Sequence, residues 1–359
     1  MLMKGEGVMD KIRVAILGTG TISESHIRGY RNNPKAEIVA ICDNNEARLN
    51  EIGDRYNIQK RYTCAKELLE NEELDAVSVC SFPVNHVELA LLAVEKGLNV
   101  LVEKPLGVNY AETQVLVEKV KANGKVGMVG MTHRYRNDVK VMKTLIDAGK
   151  VGEIKHVNAR LISRRGIPIG FFTDKAYAGG GALFDVGVHL LDLAWYLAGT
   201  PEPETISGNT MQNVGPVNTL TINRWRSSNP YNQDQSVFDV DDMSVAFIRF
   251  KNGMTMNFEI AWGVNGPTTE GIYVDVYGDK GGASLVPLAY YTEENNVVMD
   301  AKLTFGHNDW FQTEINHFLD CVENQVEPMS PIREGSTIIQ MLEAIAVSSE
   351  RRREVVLPL

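Results

Sequence analysis

The sequence predicts an α/β protein: a doubly wound, parallel-stranded N-terminal domain followed by an α+β domain built on a mostly antiparallel sheet. Three observations carry this expectation. The first third alternates continuous apolar runs with amphipathic segments, the pattern of strands buried on both faces and of the helices that connect them. Beyond about residue 130 the helical segments thin out and runs of period-two alternation take over. A length of 359 residues also exceeds what one hydrophobic core organises. The expected division places residues 1–128 in the first domain and 129–359 in the second.

In order along the chain, the apolar runs 12–17, 38–42, 76–80, 98–102 and 126–129 read as parallel strands. Between them, 46–56, 86–96 and 111–122 have helical periodicity, and Gly97 and Gly124 stand where C-terminal caps are expected. Right-handed crossovers leave such an arrangement little topological choice. In the second part, Ile154–Ile162, 244–250, Thr255–Ala261 and 272–277 read as strands, with Asn252-Gly253 as a hairpin turn between two of them. Helices over 182–197 and 310–323 are expected to cover one face of that sheet, and 225–235, rich in Ser, Asn and Gln, reads as an exposed loop.

Composition excludes several function classes. The formal charge of −10 opposes nucleic-acid or anionic-membrane binding, both of which need clustered cations. Arg351-Arg352-Arg353 reads as a solvated helix end. Cys42, Cys64, Cys80 and Cys321 are scattered without zinc-ligand or disulfide spacing, and Cys42 and Cys80 close apolar runs as small core residues would. Lys4, Glu6 and Asp10 interrupt the first ten residues, so no secretory leader is read there. No stretch approaches the roughly 18 apolar residues of a membrane span, and a cytoplasmic location is expected.

A nucleotide site is suggested where 12–17 opens onto Gly18-Thr19-Gly20-Thr21-Ile22-Ser23 and a helical pattern from Ser23. A dinucleotide pyrophosphate needs a tight turn that lets backbone N–H groups and a helix N-terminus reach it. Gly18 and Gly20 meet the first two glycine roles, while Ser23 replaces the third, which serves helix–strand packing. Asp43 closes the second strand run 23 residues after Gly20, where a carboxylate accepts from an adenosine ribose diol and repels a 2′-phosphate. NAD is therefore expected ahead of NADP, with Arg48 nearby keeping NADP open. The plainer alternatives are an ordinary strand–helix turn and, for Asp43, an N-cap for the helix from Asn44.

Glu103-Lys104-Pro105 follows the apolar strand Asn99–Val102 and sets a cation at the carboxyl edge of the sheet, where open α/β folds bind ligands. Downstream, Gly179-Gly180-Gly181 leads a helical stretch whose Asp185, His189 and Asp192 are spaced to share one face. Metal-free hydride transfer from a secondary alcohol needs a base for the hydroxyl proton and a fixed orientation beside a nicotinamide. His189 has the titration range of that base. Asp185 is expected to orient substrate hydroxyls or His189, Asp192 to fix the imidazole tautomer, and Lys104 to donate to the reacting oxygen. The structural alternatives are a surface Asp–His helix pair, a flexible glycine linker and a solvated turn lysine. The substrate class these groups suit is a sugar or cyclitol.

These residues resemble the Gfo/Idh/MocA family over nearly the whole chain. The marks are Gly18-x-Gly20, Ser81-Phe82-Pro83-Val84-Asn85-His86, Glu103-Lys104-Pro105 and the Gly179-Gly180-Gly181, Asp185, His189, Asp192 series. The resemblance implies an N-terminal Rossmann domain and a C-terminal domain whose large open sheet mediates assembly, here a homodimer or homotetramer. It implies NAD or NADP chemistry on sugars, cyclitols or related polyols. By position, Lys104, Asp185 and His189 match the catalytic set, with His189 as acid/base and Lys104 touching nicotinamide ribose and substrate hydroxyl. Ser81, His86 and Glu103 match positions along the cofactor groove, beside Gly18, Thr19, Gly20, Thr21, Ile22 and Asp43.

Two departures stand out. Phe82 replaces the Thr-Pro that usually begins its loop, and Thr132-His133-Arg134-Tyr135 replaces Asn-Arg-Arg-Phe, so His133 and Tyr135 are expected to face the pocket and tune substrate choice. Arg164, with Arg165 and Gly166, is expected either to rim the pocket and meet an anionic substrate group or to form a salt bridge. Trp262 and Trp310 suit either sugar stacking or core packing. Two other functions stay open: redox-neutral NAD-dependent glycoside processing, and a dinucleotide-binding regulator without turnover.

Overall fold

The computed structural model describes residues 11–217, 226–234, 236–269 and 271–359. Its first layer runs β1 (Ile12–Leu17), α1 (Ser23–Arg31), β2 (Ala36–Cys42), α2 (Glu46–Arg55), β3 (Lys60–Tyr62), α3 (Ala65–Asn71), β4 (Ala76–Val79), α4 (His86–Glu95), β5 (Asn99–Val102), α5 (Tyr110–Asn123) and β6 (Gly127–Val129). The strands pair in parallel in the order β3-β2-β1-β4-β5-β6. The order reverses between β1 and β4, which opens a crevice at their carboxyl ends. β4, β5 and β6 are buried throughout, as their mostly apolar runs require, with Ser78 and Asn99 as buried polar exceptions. β3 and α3 had no clear sequence signal, because Lys60-Arg61-Tyr62 is a short, charged edge strand. Gly97 and Gly124 have positive φ at helix ends, and the expected division at residue 128 falls inside β6.

The chain continues through α6 (Asn137–Asp147), β7 (Ile154–Ile162), α7 (Lys175–Ala178), α8 (Val188–Leu197), β8 (Pro203–Met211), β9 (Met243–Phe250), β10 (Thr255–Ala261), β11 (Tyr273–Gly278), β12 (Gly281–Ser284), β13 (Ala289–Glu294), β14 (Val297–Lys302), α9 (Trp310–Asn324), α10 (Ile332–Arg351) and β15 (Val355–Val356). The second sheet has the order β14-β13-β12-β11-β7-β10-β9-β8-β15; β7 and β10 pair in parallel and the other neighbours are antiparallel. The β9–β10 turn at Asn252-Gly253 forms as read, with Gly253 at φ +83°. One face of the sheet buries Ile248, Phe250, Met256, Phe258 and Val274 with α8 and α10.

One packing expectation is corrected. The helix read over 310–323 does not cover the second sheet. As α9 it returns to the first domain, where Ile315, Phe318, Leu319 and Val322 pack with Val14, Ile16, Ile27 and Tyr30. Gly29 of α1 makes room for it: a Cβ there would lie 2.7 Å from Ile315 Cγ1. Helix α9 thus buttresses the nucleotide-type domain through α1 and the strand residues Val14 and Ile16.

Candidate active site

The β1–α1 turn lies at the crevice. Gly18 has φ +97°, and a Cβ there would come within 2.5 Å of the Cys80 carbonyl oxygen, so β1 and β4 approach as closely as they do only around a glycine. Gly20 is more open: its nearest atom to an added Cβ is that same oxygen at 3.9 Å. Gly18, Gly20, Thr21 and Ile22 line a cavity of about 740 Å³ that continues along Asp43, Arg48, Ser81, Phe82, His86, Glu103 and Lys104 to the second domain. Ile22 supplies no side-chain cap, and the Ser23 and Ser25 N–H groups of the first turn of α1 donate to Gly20 O at 3.2 Å and Ile22 O at 2.9 Å.

Asp43 is fixed rather than free. The Thr19 N–H and hydroxyl donate to its Oδ2 at 2.7 and 2.9 Å, and Asn45 N donates to Oδ1 at 2.8 Å. Thr19 itself is fully buried and does not line the cavity; it braces Asp43 instead. The N-cap of α2 is Asn45, which accepts from Arg48 N, so Asp43 is not that cap. Arg48 donates to the Thr19 carbonyl, Glu51 and Glu24, which already surround its guanidinium with acceptors. A turn built on two glycines, a helix N-terminus without a side-chain cap and a ribose-type carboxylate fit an NAD molecule.

The loops after β4 and β5 are tied together by His86, whose ring nitrogens lie 2.7 Å from Pro105 O and 3.0 Å from Ser81 O. Lys104 extends across the domain junction and donates to Asp185 O at 2.8 Å and Asp185 Oδ1 at 3.2 Å. Glu103 borders the cavity, but its Oε1 meets the buried His26 Nε2 at 2.8 Å and its Oε2 accepts from Lys104 N at 3.1 Å.

The glycine run is close packing, not a flexible linker. A Cβ on Gly181 would lie 1.7 Å from Asp241 O, and the Asp241 carboxylate accepts from Gly181 N and Leu183 N, both at 2.9 Å. A wide π turn over Leu183–Gly187 then leads into α8; such turns are frequent at functional sites. His189 meets His133 edge to face, with ring centroids 4.7 Å apart at 83°. Nδ1 of each ring is shielded from solvent and lacks a hydrogen-bond partner. Burial, then Lys104 and His133, hold His189 well below the ordinary imidazole range. Burial, then Arg136 and Lys104, push His133 down to about 4. Both rings are therefore neutral near neutrality.

Asp192 does not fix the His189 tautomer. It faces Arg134, which donates from Nη2 to Oδ1 at 2.6 Å and from Nε to Oδ2 at 3.0 Å, while Arg134 Nη1 donates to Met329 O at 2.7 Å and also reaches Glu334. This enclosed pair pins the turn Thr132–Tyr135, which carries His133, to α8, which carries His189.

Three further expectations change. Tyr135 turns away from the cavity because, at about three residues per turn, it and His133 do not share a face of the tight turn; its hydroxyl sits near Met128 Sδ and 3.3 Å from Ser330 Oγ. Arg164 is exposed and off the cavity wall, where its neighbours Ser163 and Gly166 stand instead. The 225–235 segment is not a simple exposed loop: Arg226, Ser227, Ser228 and Asn229 form a cavity wall, held by the buried Asn232 amide, which donates to Gly170 O and Val237 O. Trp225 and Gln235 lie outside the described residues. Sequence reasoning also missed Phe171 and Phe172 and left Trp262 unplaced; all three line the cavity, and Phe171 meets Phe82 edge to face with ring centroids 4.7 Å apart. No period marks them, since Phe171 and Phe172 sit in a single short 3₁₀ turn and Trp262 just past the end of β10.

Among the described residues no His/Cys/Asp/Glu group is arranged to hold a metal ion, and no helix is long and apolar enough to cross a membrane. The family model described as "Oxidoreductase family, NAD-binding Rossmann fold" matches residues 12–131, and the GFO/IDH/MocA C-terminal domain model matches 139–284. Among curated proteins the chain is 28% identical to D-glucoside 3-dehydrogenase of Escherichia coli, covering 97% of this chain and 98% of the relative. It is 26% identical to myo-inositol 2-dehydrogenase of Thermotoga maritima, over 75% and 74% of the two chains. Among solved structures, levoglucosan dehydrogenase in complex with NADH superposes with a TM-score of 0.82 at 20% identity, covering 97% of this chain and 100% of that one. With both of its domains matched, the chain belongs to the Gfo/Idh/MocA family and is an oxidoreductase with an NAD-binding Rossmann domain.

Proposed function

We propose that this enzyme moves hydride between a ring CH–OH of a sugar or cyclitol and NAD, with Lys104, Asp185 and His189 as the catalytic residues. The observation that carries the reading is convergence: the Gly18–Ile22 turn, Lys104, Asp185, His133 and His189 border one cavity at the sheet's switch point. Bound NAD supplies the hydride acceptor. His189, neutral and enclosed, takes the hydroxyl proton as the carbonyl forms and returns it in the reverse direction. Lys104, steered by Asp185, donates to the same oxygen and offsets its developing charge. His133 walls the site beside His189 and meets substrate hydroxyls. Gly18, Gly20, Thr21 and Ile22 receive the pyrophosphate, Asp43 the adenosine ribose, and Ser81, His86 and Glu103 shape the nicotinamide end, with Thr19 holding Asp43 in place. The commitment of Arg48 to Glu24, Glu51 and Thr19 favours NAD over NADP.

The names of the glucoside and inositol relatives support the substrate class. The open face of the second sheet suits a homodimer or homotetramer, and four free thiols suit a reducing cytoplasm. The test is NADH formation over a panel of hexoses, glucosides and inositols with NAD and NADP side by side. NADH from at least one member, faster with NAD, is expected. Aglycone release without NADH would instead mark redox-neutral processing, and tight binding with no exchange would mark a regulator.

A further inference from the structure

Behind Lys104 lies a buried hydrogen-bonded chain that the proposed chemistry does not use. Tyr30 OH meets Ser78 Oγ at 2.6 Å, Ser78 Oγ meets His26 Nδ1 at 3.2 Å, His26 Nε2 meets Glu103 Oε1 at 2.8 Å, and Glu103 Oε2 accepts from Lys104 N at 3.1 Å. Tyr30, Ser78, His26 and Glu103 all lie within the core, and His26 lies off the cavity wall. One set of directions satisfies every hydrogen. Tyr30 donates to Ser78, Ser78 to Nδ1, His26 to the carboxylate from Nε2, and the carboxylate accepts the Lys104 amide.

We infer that His26 is a positioning residue for Lys104, acting through the carboxylate of Glu103.

Several observations support this. Gly130 leaves the space the carboxylate occupies: a Cβ there would lie 3.0 Å from Glu103 Oε1. Burial alone would raise the Glu103 carboxyl, but the hydrogen bond from His26, with Lys104 and His86, carries it below the usual range. Glu314, fully enclosed on α9 with neither carboxyl oxygen partnered, goes the opposite way, raised by burial and then by Glu103. The two carboxyls are therefore shifted in opposite directions, and the lowered one is held on Lys104. That lysine is gripped at both ends, its amide by Glu103 and its ammonium by Asp185. A reacting group displaced by about 1 Å can lose on the order of a hundredfold in rate, so the grip on the amide bears on turnover.

The kinetic arm rests on the function proposed above, so the experiment includes a readout that needs no turnover. His26→Leu, His26→Gln, Glu103→Gln and the His26→Leu/Glu103→Gln double variant are compared for kcat, KM, thermal melting and the rate at which Lys104 is reductively methylated, read by peptide mass spectrometry. His26→Leu is expected to lower kcat about tenfold or more with KM within about twofold, and to methylate Lys104 several-fold faster. His26→Gln keeps a donor to Glu103 and recovers much of both. The double variant falls no further than Glu103→Gln alone, as for two members of one unit. Wild-type kcat and methylation in His26→Leu, equal losses in His26→Gln, or multiplying losses in the double variant would each overturn the inference. If the wild-type enzyme oxidises no polyol, the function fails separately, and the methylation rates alone decide the role of His26. A His26→Leu protein that does not fold leaves His26→Gln against Glu103→Gln to decide it in the same way.

Discussion

Lys104 and Asp185, 81 residues apart, meet where the two domains join: the ammonium donates to the Asp185 backbone carbonyl at 2.8 Å and to its carboxylate at 3.2 Å. One residue ends a loop of the parallel sheet and the other sits in the wide turn before α8, so the cation's position reports on both domains at once. Replacing Asp185 with Ala leaves Lys104 only the carbonyl. The expected outcome is a loss of kcat of about 10²-fold, in the range for one electrostatic partner, with NAD affinity little changed. Steady-state kinetics with NAD titrated by fluorescence check it.

In the proposed reading Asp43 selects the coenzyme. With Asp43→Ser, NADP gains and NAD loses, because a charge-assisted hydrogen bond worth about 1.5–3 kcal/mol and the repulsion of a 2′-phosphate both go. The ratio of kcat/KM values for the two coenzymes is expected to shift toward NADP by at least about tenfold, which corresponds to roughly 1.4 kcal/mol. An unchanged ratio would place the adenosine ribose elsewhere.

The Arg134–Asp192 pair is enclosed on all sides, with side-chain exposures of 1% and 2%. Asp192→Ala leaves the buried guanidinium with only Glu334 and the Met329 carbonyl at Nη1 and nothing at Nε and Nη2, and the expected destabilisation is about 3 kcal/mol by denaturant unfolding. Substitution of the exposed Arg164 by Ala, in contrast, is expected to change stability by less than about 0.5 kcal/mol.

Acid weakens the fold through the two histidines. Their folded pKa values lie below the ordinary 6.5, with His133 at about 4. Below pH 6.5 the unfolded chain binds protons that the folded one refuses, so their contribution is complete above 6.5 and declines as the pH falls toward 4. His133→Asn is expected to flatten that decline, measured as urea midpoints at about pH 7 and about pH 5. For the same reason polyol oxidation is expected to keep its base form of His189 well below pH 6.5.

The sheet strands were legible because parallel strands buried on both faces are mostly apolar, and 12–17, 76–80 and 98–102 are each interrupted by a single polar residue, Arg13, Ser78 and Asn99. Gly18, Asp43, Lys104, Asp185 and His189 were legible as residue types at characteristic spacings, and the fold brings them to one cavity. What spacing could not convey was partnership across the chain. Asp192 shares a helix with His189, yet its partner is Arg134, 58 residues away, and nothing local distinguishes those two fates. Tyr135 and His133 sit two apart in a tight turn, where no helix or strand period says which faces the cavity. The helix at 310 carried a clear apolar face, but that face does not name the sheet it will cover; Gly29 on α1 did.

The most direct measurement is single-turnover hydride transfer, followed by nicotinamide absorbance, with NAD and the best polyol saturating, in the wild type, Lys104→Ala and His189→Ala. The account predicts that each variant binds NAD yet transfers hydride slower by about 10²–10⁴-fold. Transfer at the wild-type rate in either variant would contradict it.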